Sequence, residues 1–534
     1  MDPALALGEV AEKLGVVLAA GAAAATLVLT DPRRRAIAMA SAVVVAAAVL
    51  VGHIWDSDQF RSISGEPARF TVLLVLTAVV VTGLGALFLR RPSLFPVVAM
   101  AALPFRIPID AGGSTVNLLV PLYAVIAGGA AAYGWRQLRS PAVEADSRRA
   151  ALLELALAIF IALYALQSLY SRDFAHALEQ MTFFYVPFAL LFSQLRDVRW
   201  SRTLLASCLG VLVVLAVCFS VIGFWEYHNR ELLWNPKVIN ANQFESYFRV
   251  NSVFWDPNIY GRFLAVVMVA LTAVMLWSGR IRTAAVTAVL LAVLWGGLVL
   301  TFSQSSFASL LAGLAVLAAL RWDARRTAAV SVVGLALAAL FVLAFQGALR
   351  LHLGSSSGLN KATSGRADLI RGGVELFGSR PLWGHGSGSF ARAYRLERKG
   401  NQKQATSASH TLPITVAAEQ GVIGLAAYVL VLFAAFATLA GWAGAGPARA
   451  PPHERARGDG ALRAAELEGF SAAGAALAAA FATLVVHTMM YAAFLEDPFT
   501  WVILALGLAL LPQLRQVHEA RRARAPAAQP ALAA

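Results

Sequence analysis

The chain has 534 residues, of which 59% are hydrophobic and only 14% are charged. Soluble domains carry about 25% charged residues, so this composition excludes a mainly soluble protein. The formal net charge of +14 does not indicate a nucleic-acid partner, because the basic residues lie in short connections between apolar segments, where they set the orientation of membrane insertion. The two cysteines, Cys208 and Cys218, lie too far apart on one apolar segment for a disulfide and indicate no cofactor or metal.

Apolar segments recur along the whole chain. A helix needs about 20 apolar residues to cross ~30 Å of hydrocarbon. We therefore predict an all-α polytopic membrane helix bundle with about fifteen transmembrane helices. The predicted spans are 14–30, 36–53, 69–89, 93–105, 115–134, 150–169, 178–194, 203–225, 258–278, 283–302, 304–320, 327–346, 410–440, 469–493 and 498–512.

Arginine and lysine are concentrated in every second connection, and this bias predicts the orientation. Clusters such as Arg33–Arg35 and Arg321–Arg326 are predicted to be cytoplasmic, so segments 226–257 and 347–409 face outward. The predicted organisation is N-terminal transmembrane helices over 1–346, a large, partly helical external loop over 347–409, C-terminal transmembrane helices over 410–512 and a disordered cytoplasmic tail over 513–534.

Two external segments are longer than a helix connection requires, and such segments are often functional. In 226–257, polar residues are interleaved with Phe and Trp. The segment leads through Arg249 to Asp256-Pro257-Asn258, a turn followed by a helix start. Asp256 is explained equally well as the N-cap of that helix. This mixture of residues is more typical of a sugar-contacting or interfacial surface than of a disordered linker.

The second external segment is predicted to fold. Arg366–Phe377 places its apolar residues on one helical face and its charged residues on the other, which predicts an amphipathic helix at the membrane surface. The glycine-rich stretch Gly384–Gly388 predicts a flexible turn. Its spacing does not match a dinucleotide-binding fingerprint.

The following span begins near His410, with Pro413 in its first turn. Glu419 lies nine residues further on, ~13.5 Å deeper and on the opposite helical face. The two side chains are therefore not expected to hydrogen-bond. A carboxylate at that depth is costly and indicates a function, and His487 in a later span is its candidate partner.

The predicted outward side collects five arginines around His410, namely Arg249, Arg262, Arg366, Arg371 and Arg380. Arginine forks bind phosphate oxygens through two hydrogen bonds, and histidine can accept a proton near neutral pH. The set suits a lipid diphosphate donor and a hydroxyl acceptor. Taken singly, each arginine is also explained by contact with lipid headgroups or by the topology of insertion.

In these segments the sequence resembles the O-antigen ligase and polymerase superfamily of bacterial envelope membrane proteins. The resemblance covers roughly residues 100–440, and its order around the large external loop is more specific than any single short motif. The matching pieces are Pro104–Ile109 (PFRIPI), Asn117-Leu118-Leu119, Arg249–Asn258 (RVNSVFWDPN), Thr301–Ser305 (TFSQS), Gly365-Arg366 with Pro381, Gly384, Gly386, Gly388 and Phe390, and His410 followed by Glu419, Gly421 and Gly424.

The resemblance implies a metal-independent, inverting glycosyltransferase of the GT-C type in the bacterial plasma membrane, with its active site facing the periplasm. Such enzymes move a glycan from undecaprenyl diphosphate to a hydroxyl of another glycan, of lipid A core or of a protein. By position, Arg249 and Arg366 would bind the diphosphate, and His410 would be the catalytic base or would orient the acceptor. Asn258 and Glu419 are further site candidates.

The chain departs from the family pattern at two positions. Gln304 stands where many members have arginine, so Arg262 or Arg371 would have to supply that diphosphate contact. Thr411 follows His410 where many members have asparagine, which affects local capping more than chemistry. Ligases and polymerases share the same residues, so the sequence does not separate these two activities.

Three alternatives compete with this interpretation. Asp56 and Asp58 form a D-x-D pair in an early external loop and could bind Mg²⁺ or Mn²⁺ in a metal-dependent GT-C transferase. A transporter of polysaccharide or lipid is the second alternative, but the halves of the chain show no symmetry and the polar residues cluster at one surface. A non-catalytic membrane protein is disfavoured by the basic cluster in the large external loop.

Overall fold

The structure is a computed structural model that describes residues 3–55, 65–111, 114–139, 150–244, 247–344, 366–397, 409, 411–441, 458–491, 493–513 and 516. The helices in these ranges are α1 (Pro3–Val28), α2 (Pro32–Ile54), α3 (Pro67–Arg90), α4 (Leu94–Ala102), α5 (Val120–Arg139), α6 (Leu152–Ser168), α7 (Phe174–Gln180), α8 (Val186–Leu195), α9 (Arg202–Asn229), α10 (Pro236–Phe244), α11 (Pro257–Trp277), α12 (Ile281–Leu300), α13 (Gln304–Arg321), α14 (Ala324–Ala344), α15 (Arg366–Ser379), α16 (Phe390–Glu397), α17 (Leu412–Ala440), α18 (Gly458–Thr488) and α19 (Pro498–Ala509). A π-helical turn, Met181–Tyr185, joins α7 to α8.

The described residues contain nine helices that are long and apolar enough to cross a membrane, namely α1, α2, α3, α9, α11, α12, α13, α17 and α18. Two further apolar helices, α6 and α19, are shorter. These helices confirm the predicted all-α polytopic bundle and show that the chain is a multi-pass membrane protein.

A short β-hairpin interrupts the helical pattern. Strands β1 (Ile107–Ala111) and β2 (Ser114–Leu118) pair antiparallel, with Ile107 opposite Leu118. Ile107 and Ile109 alternate in β1, β2 contains Thr115 and Val116, and Gly112-Gly113 stands between the two strands in the sequence, a pattern that favours a hairpin. The hairpin was not predicted, because the apolar residues of β2 fall within the span predicted over 115–134.

The most deeply buried of the membrane helices is α11, which packs against α9, α12, α13 and α18. Gly261 of α11 permits close contact with α13, since a Cβ atom at this position would lie 2.5 Å from Ser306 Oγ. Small residues allow membrane helices to approach closely and to share polar contacts. The packing therefore brings a cluster of serines on α13 against α11.

Helix α17 is kinked at Gly421, whose φ of 67° and ψ of −164° are not helical. Residues 381–386 lie against the kink. The Val422 amide donates to the Pro381 carbonyl at 2.8 Å, and the Gly386 amide donates to the Glu419 carbonyl at 2.8 Å. Backbone groups that a kink frees from helix hydrogen bonds are thus satisfied by a neighbouring segment, as a bilayer environment demands.

We expect Gly421→Ala to destabilise the protein, because this backbone conformation is almost exclusive to glycine and costs about 1–3 kcal/mol for other residues. A Cβ atom would also collide with the Leu382 carbonyl. Thermal unfolding in detergent measures the effect. Gly210→Ala in α9 is the matched control, since nothing lies within 4 Å of its added Cβ. Equal melting temperatures for the two variants would contradict this explanation of the kink.

Candidate functional site

Several connections that are distant in sequence meet at one end of the bundle. We call this the site end and define it by the described residues of 103–106, 230–256, 301–303, 366–397, 409–411 and 489–497. Hydrogen bonds join them: the Val250 amide donates to the Leu300 carbonyl at 3.1 Å, and the Thr411 hydroxyl donates to the Met489 carbonyl at 3.2 Å. The Tyr491 hydroxyl donates to Asp256 Oδ2 at 3.0 Å.

Arg249 is held at the site end by neutral groups. Its Nε donates to the Thr301 carbonyl at 2.9 Å, and its Nη2 donates to Asn258 Oδ1 at 3.3 Å. The Arg249 backbone amide donates to Asn242 Oδ1 at 3.0 Å, and Asn242 Nδ2 donates to the Arg249 carbonyl, also at 3.0 Å. The half-buried guanidinium is therefore fixed in position, yet within the described ranges no carboxylate neutralises its charge.

Arg366, the first residue of α15, is the second half-buried cation at the site end. Burial lowers the pKa of its guanidinium, and the nearby charge of Arg249 lowers this pKa further. In the part of the chain that is described, Arg366 has no ion-pair partner. Two like charges that are close and unpaired repel each other, and an anion between them would relieve the repulsion.

A buried network of polar side chains extends from Arg249 into the bundle. Asn258 Oδ1 accepts a hydrogen bond from the Ser303 hydroxyl at 2.9 Å, as well as the one from Arg249. Ser303 Oγ lies 3.1 Å from Ser305 Oγ, which lies 3.2 Å from Nε2 of His487. Asn258, a predicted site candidate, therefore connects Arg249 to α13 and α18. The contact between these serines and His487 has no signal in the sequence, because the residues come from helices far apart in the chain.

The other predicted diphosphate ligands have different surroundings. Arg262 is 2% exposed and forms an ion pair with Asp497 at 2.6 Å. Its Nη1 donates to the Ala493 carbonyl at 2.8 Å, so it ties α11 to the connection before α19. Arg371 is exposed on α15, 3.9 Å from Asp368. Gln304 is exposed at the start of α13.

Glu419 is buried and accepts two backbone hydrogen bonds, from the Gly388 amide at 2.8 Å and from the Phe390 amide at 2.9 Å. The Phe390 amide is the first of α16, where helix amides have no partner within the helix, and the Gly388 amide lies two residues before this helix. Glu419 therefore holds the segment 388–390 against α17. Its predicted pairing with His487 is wrong, since His487 faces the serines of α13.

The glycine-rich stretch Gly384–Gly388 is packed between helices, and its predicted flexibility is wrong. His385 is 1% exposed, and Ser387 is fully buried. The Ser387 hydroxyl donates to the Tyr164 carbonyl at 2.9 Å, and the Ser171 hydroxyl donates to the Ser387 carbonyl at 2.7 Å. The glycines let this backbone approach α17 and the start of α7 closely, because a Cβ atom at these positions would strike neighbouring backbone atoms.

Arg106 is a further site-end cation and was not among the predicted site residues. Burial lowers the pKa of its guanidinium; the charge of Asp497 raises this pKa, and that of Arg262 lowers it. Its buried Nε has no hydrogen-bond partner among the described residues. The family-like stretch Pro104–Ile109 was the one signal in the sequence that pointed to this position.

Three residues of the sequence hypotheses, His410, Asp56 and Asp58, lie outside the described residues. The neighbours of His410 are described. The buried Ser409 hydroxyl donates to the Thr411 carbonyl at 2.7 Å, and Thr411 contacts the connection after α18. The chain on both sides of His410 thus belongs to the site end.

Comparison with known proteins agrees with the motifs. Residues 288–429 match the family model described as O-antigen ligase. This match spans α13, α15, α16, the kink of α17 and Arg366. No curated protein matches the chain. The region 288–429 is therefore similar to the O-antigen ligase family of membrane glycosyltransferases, and this similarity supports the resemblance that the motifs indicate.

Proposed function

We propose that the protein transfers a glycan from undecaprenyl diphosphate to a hydroxyl acceptor at the outer face of the bacterial plasma membrane. The observation that carries the proposal is the pair Arg249 and Arg366. Both are half-buried, each lacks a carboxylate partner in the described part of the chain, and the charge of Arg249 is near enough to lower the pKa of Arg366. Unpaired guanidinium groups suit a diphosphate, whose oxygens accept two hydrogen bonds from each fork.

The reaction needs stabilisation of the leaving group more than activation of the donor. The acceptor hydroxyl attacks the anomeric carbon, the bond from that carbon to the diphosphate oxygen breaks, and the configuration inverts. Negative charge develops on the departing undecaprenyl diphosphate, and Arg249 and Arg366 stabilise it. Hydrogen bonds to Thr301 and Asn258 fix the Arg249 guanidinium in position. The side chain therefore needs little reorganisation when the negative charge develops. No metal is required for this step.

We assign the proton transfer to His410, as the resemblance implies. An imidazole accepts a proton near neutral pH, and a positioned general base contributes about 10²–10⁴-fold to a rate. The acceptor is a hydroxyl of a second glycan, of lipid A core or of a protein. The first would make the enzyme a polymerase and the other two a ligase.

A transfer assay tests the proposal. The purified protein is supplied with an undecaprenyl-diphosphate-linked oligosaccharide and excess EDTA, and the products are followed by gel and mass spectrometry. We expect transfer in EDTA, with ladders from a polymerase and a single adduct on an added acceptor from a ligase. Transfer only after Mg²⁺ or Mn²⁺ is restored would instead favour a metal-dependent transferase in which Asp56 and Asp58 bind the metal ion. Movement of the lipid-linked glycan across liposomes without bond formation would favour a transporter.

The role of His410 has its own test. We expect His410→Ala to lower transfer by about 10²–10⁴-fold while the melting temperature in detergent stays that of the wild type. The matched control is His228→Ala, which removes an exposed imidazole at the end of α9. Transfer by His410→Ala within a few-fold of the wild type would remove His410 from the mechanism.

A further inference from the structure

The hydrogen-bond chain that leads inward from Arg249 through Asn258, Ser303 and Ser305 ends at His487 of α18. Nε2 of His487 lies 3.2 Å from Ser305 Oγ. The imidazole is fully buried, and the transfer proposed above gives it no role. What His487 contributes depends on the direction of the hydrogen bonds in this chain, which the chemistry of the outer residues determines.

Arg249 fixes the direction at the outer end. A guanidinium can only donate, so the Asn258 side-chain atom that lies 3.3 Å from its Nη2 must be the amide oxygen. This oxygen can only accept. The Ser303 hydroxyl, 2.9 Å away, therefore donates its single proton to Asn258. For its other neighbours, Ser303 Oγ has only lone pairs left.

The neighbouring hydroxyls consequently donate to Ser303. Ser305 Oγ lies 3.1 Å and Ser306 Oγ 2.8 Å from Ser303 Oγ. Each contact is a hydrogen bond only if Ser303 accepts it, because the Ser303 proton is already used by Asn258. Once the Ser305 hydroxyl donates to Ser303, the lone pairs of Ser305 face Nε2 of His487. Nε2 must then carry a proton and donate it to Ser305.

The surroundings of the imidazole favour the same tautomer. Nδ1 of His487 is buried and has no hydrogen-bond partner among the described residues. A proton on Nδ1 would be a buried donor without an acceptor, which is rare in native proteins, and this disfavours both the Nδ1–H tautomer and the imidazolium. The backbone carbonyl of Asn258, which can only accept, also lies near the ring. A neutral imidazole that donates from Nε2 satisfies these neighbours.

The tautomer of His487 determines which way the Asn258 amide faces. With an unprotonated Nε2, every hydrogen bond could reverse: Ser305 would donate to His487, Ser303 would donate to Ser305, and the Asn258 NH₂ group would donate to Ser303. The same NH₂ group would then face the Arg249 guanidinium. Two donors would point at each other, and Arg249 would lose one of the acceptors that hold it.

We propose that His487 is a positioning residue whose neutral imidazole donates from Nε2 and thereby keeps the Asn258 amide oxygen directed at Arg249. Because the imidazole is fully buried, it acts through Ser305 and Ser303 and not by contact with a substrate. The inference rests on the proposed function in one respect, since a fixed Arg249 serves to stabilise the leaving diphosphate.

Nitrogen-15 NMR tests the inference without turnover. The full chain in lipid nanodiscs is labelled in its histidine and arginine side chains, and the signals of His487 and Arg249 are assigned by their loss in His487→Gln and Arg249→Ala. We expect a neutral His487 with its proton on Nε2. The Arg249 guanidinium signals should shift in Ser305→Ala and stay unchanged in Ser309→Ala. Ser309 is the matched control, because its buried hydroxyl donates to the Ser306 carbonyl of its own helix.

Two substitutions at position 487 separate the donor from the volume of the side chain. His487→Gln keeps an N–H donor at about the reach of Nε2, so the Arg249 signals should stay near those of the wild type. His487→Leu has no donor and should shift them. A His487 imidazole protonated on Nδ1 would overturn the inference, as would identical Arg249 signals in wild type, Ser305→Ala and His487→Leu.

A kinetic cycle connects the position of Arg249 to glycan transfer. Ser305→Ala should lower kcat by about threefold to tenfold, the effect of one hydrogen bond. The KM for the donor should change less, because the charge that Arg249 stabilises develops in the transition state. In an Arg249→Ala background Ser305→Ala should cause no further loss, and in an Arg366→Ala background it should keep its full effect.

The two kinds of measurement fail separately. Equal losses from Ser305→Ala in both arginine backgrounds would overturn the role of His487 through Arg249. A wild-type protein that transfers no glycan would overturn the proposed function alone, because the NMR signals of His487 and Arg249 decide the positioning inference without any transfer.

Discussion

Arg249→Ala and Arg366→Ala should each lower the rate of glycan transfer by about 10²–10³-fold. This is the usual effect of removing one preorganised donor that faces developing negative charge. Arg366→Ala should lose little stability, because its guanidinium is part of no described ion pair. Arg249→Ala should lose about 1–3 kcal/mol, because the buried Thr301 carbonyl loses its hydrogen-bond partner. Initial rates at saturating donor and the melting temperature in detergent measure the two quantities separately.

Lysine variants at these two positions separate the effect of the positive charge from that of the guanidinium geometry. Arg249→Lys and Arg366→Lys keep the charge but lose the planar fork, so transfer should recover only in part. Arg249→Lys should recover less, because its Nε and Nη2 have separate partners in Thr301 and Asn258. The control is Arg395→Ala, which removes an exposed arginine of α16. Equal rates for Arg366→Ala and Arg395→Ala would contradict the assignment of Arg366 to the diphosphate.

Glu419→Ala should destabilise the protein by about 2–6 kcal/mol, because it leaves two buried amides unpaired at about 1–3 kcal/mol each. These are the amides of Gly388 and Phe390. The destabilisation should appear as a lower melting temperature and as faster proteolysis within 366–397. Glu419→Gln keeps one acceptor oxygen and should lie between wild type and Glu419→Ala.

The variants at position 419 also separate a structural carboxylate from a catalytic one. We expect Glu419→Gln to retain a substantial fraction of transfer at temperatures below its unfolding transition. A folded Glu419→Gln protein without transfer would instead favour a direct chemical role. Glu231→Ala removes an exposed carboxylate that follows α9, and it should change neither stability nor rate.

The sequence by itself determined that the chain is an all-α polytopic membrane helix bundle. Hydropathy is a local property that adds along a segment, so the apolar runs identified the helices and their connections before any contact between them was known. The same local reasoning located the amphipathic helix α15 and the start of α17. It failed at β2, because a short apolar strand beside a long apolar helix has no separate hydropathy signal.

Only the tertiary structure decided what surrounds each charged side chain. The sequence offered both Arg249 and Arg262 as diphosphate ligands, but packing gives Arg262 a carboxylate from the distant Asp497 and leaves Arg249 with neutral partners. Glu419 likewise accepts amides that follow a glycine-rich turn. The physical reason is that burial and pairing depend on which segments meet in space, and a sequence without contacts does not specify the partner of a charge.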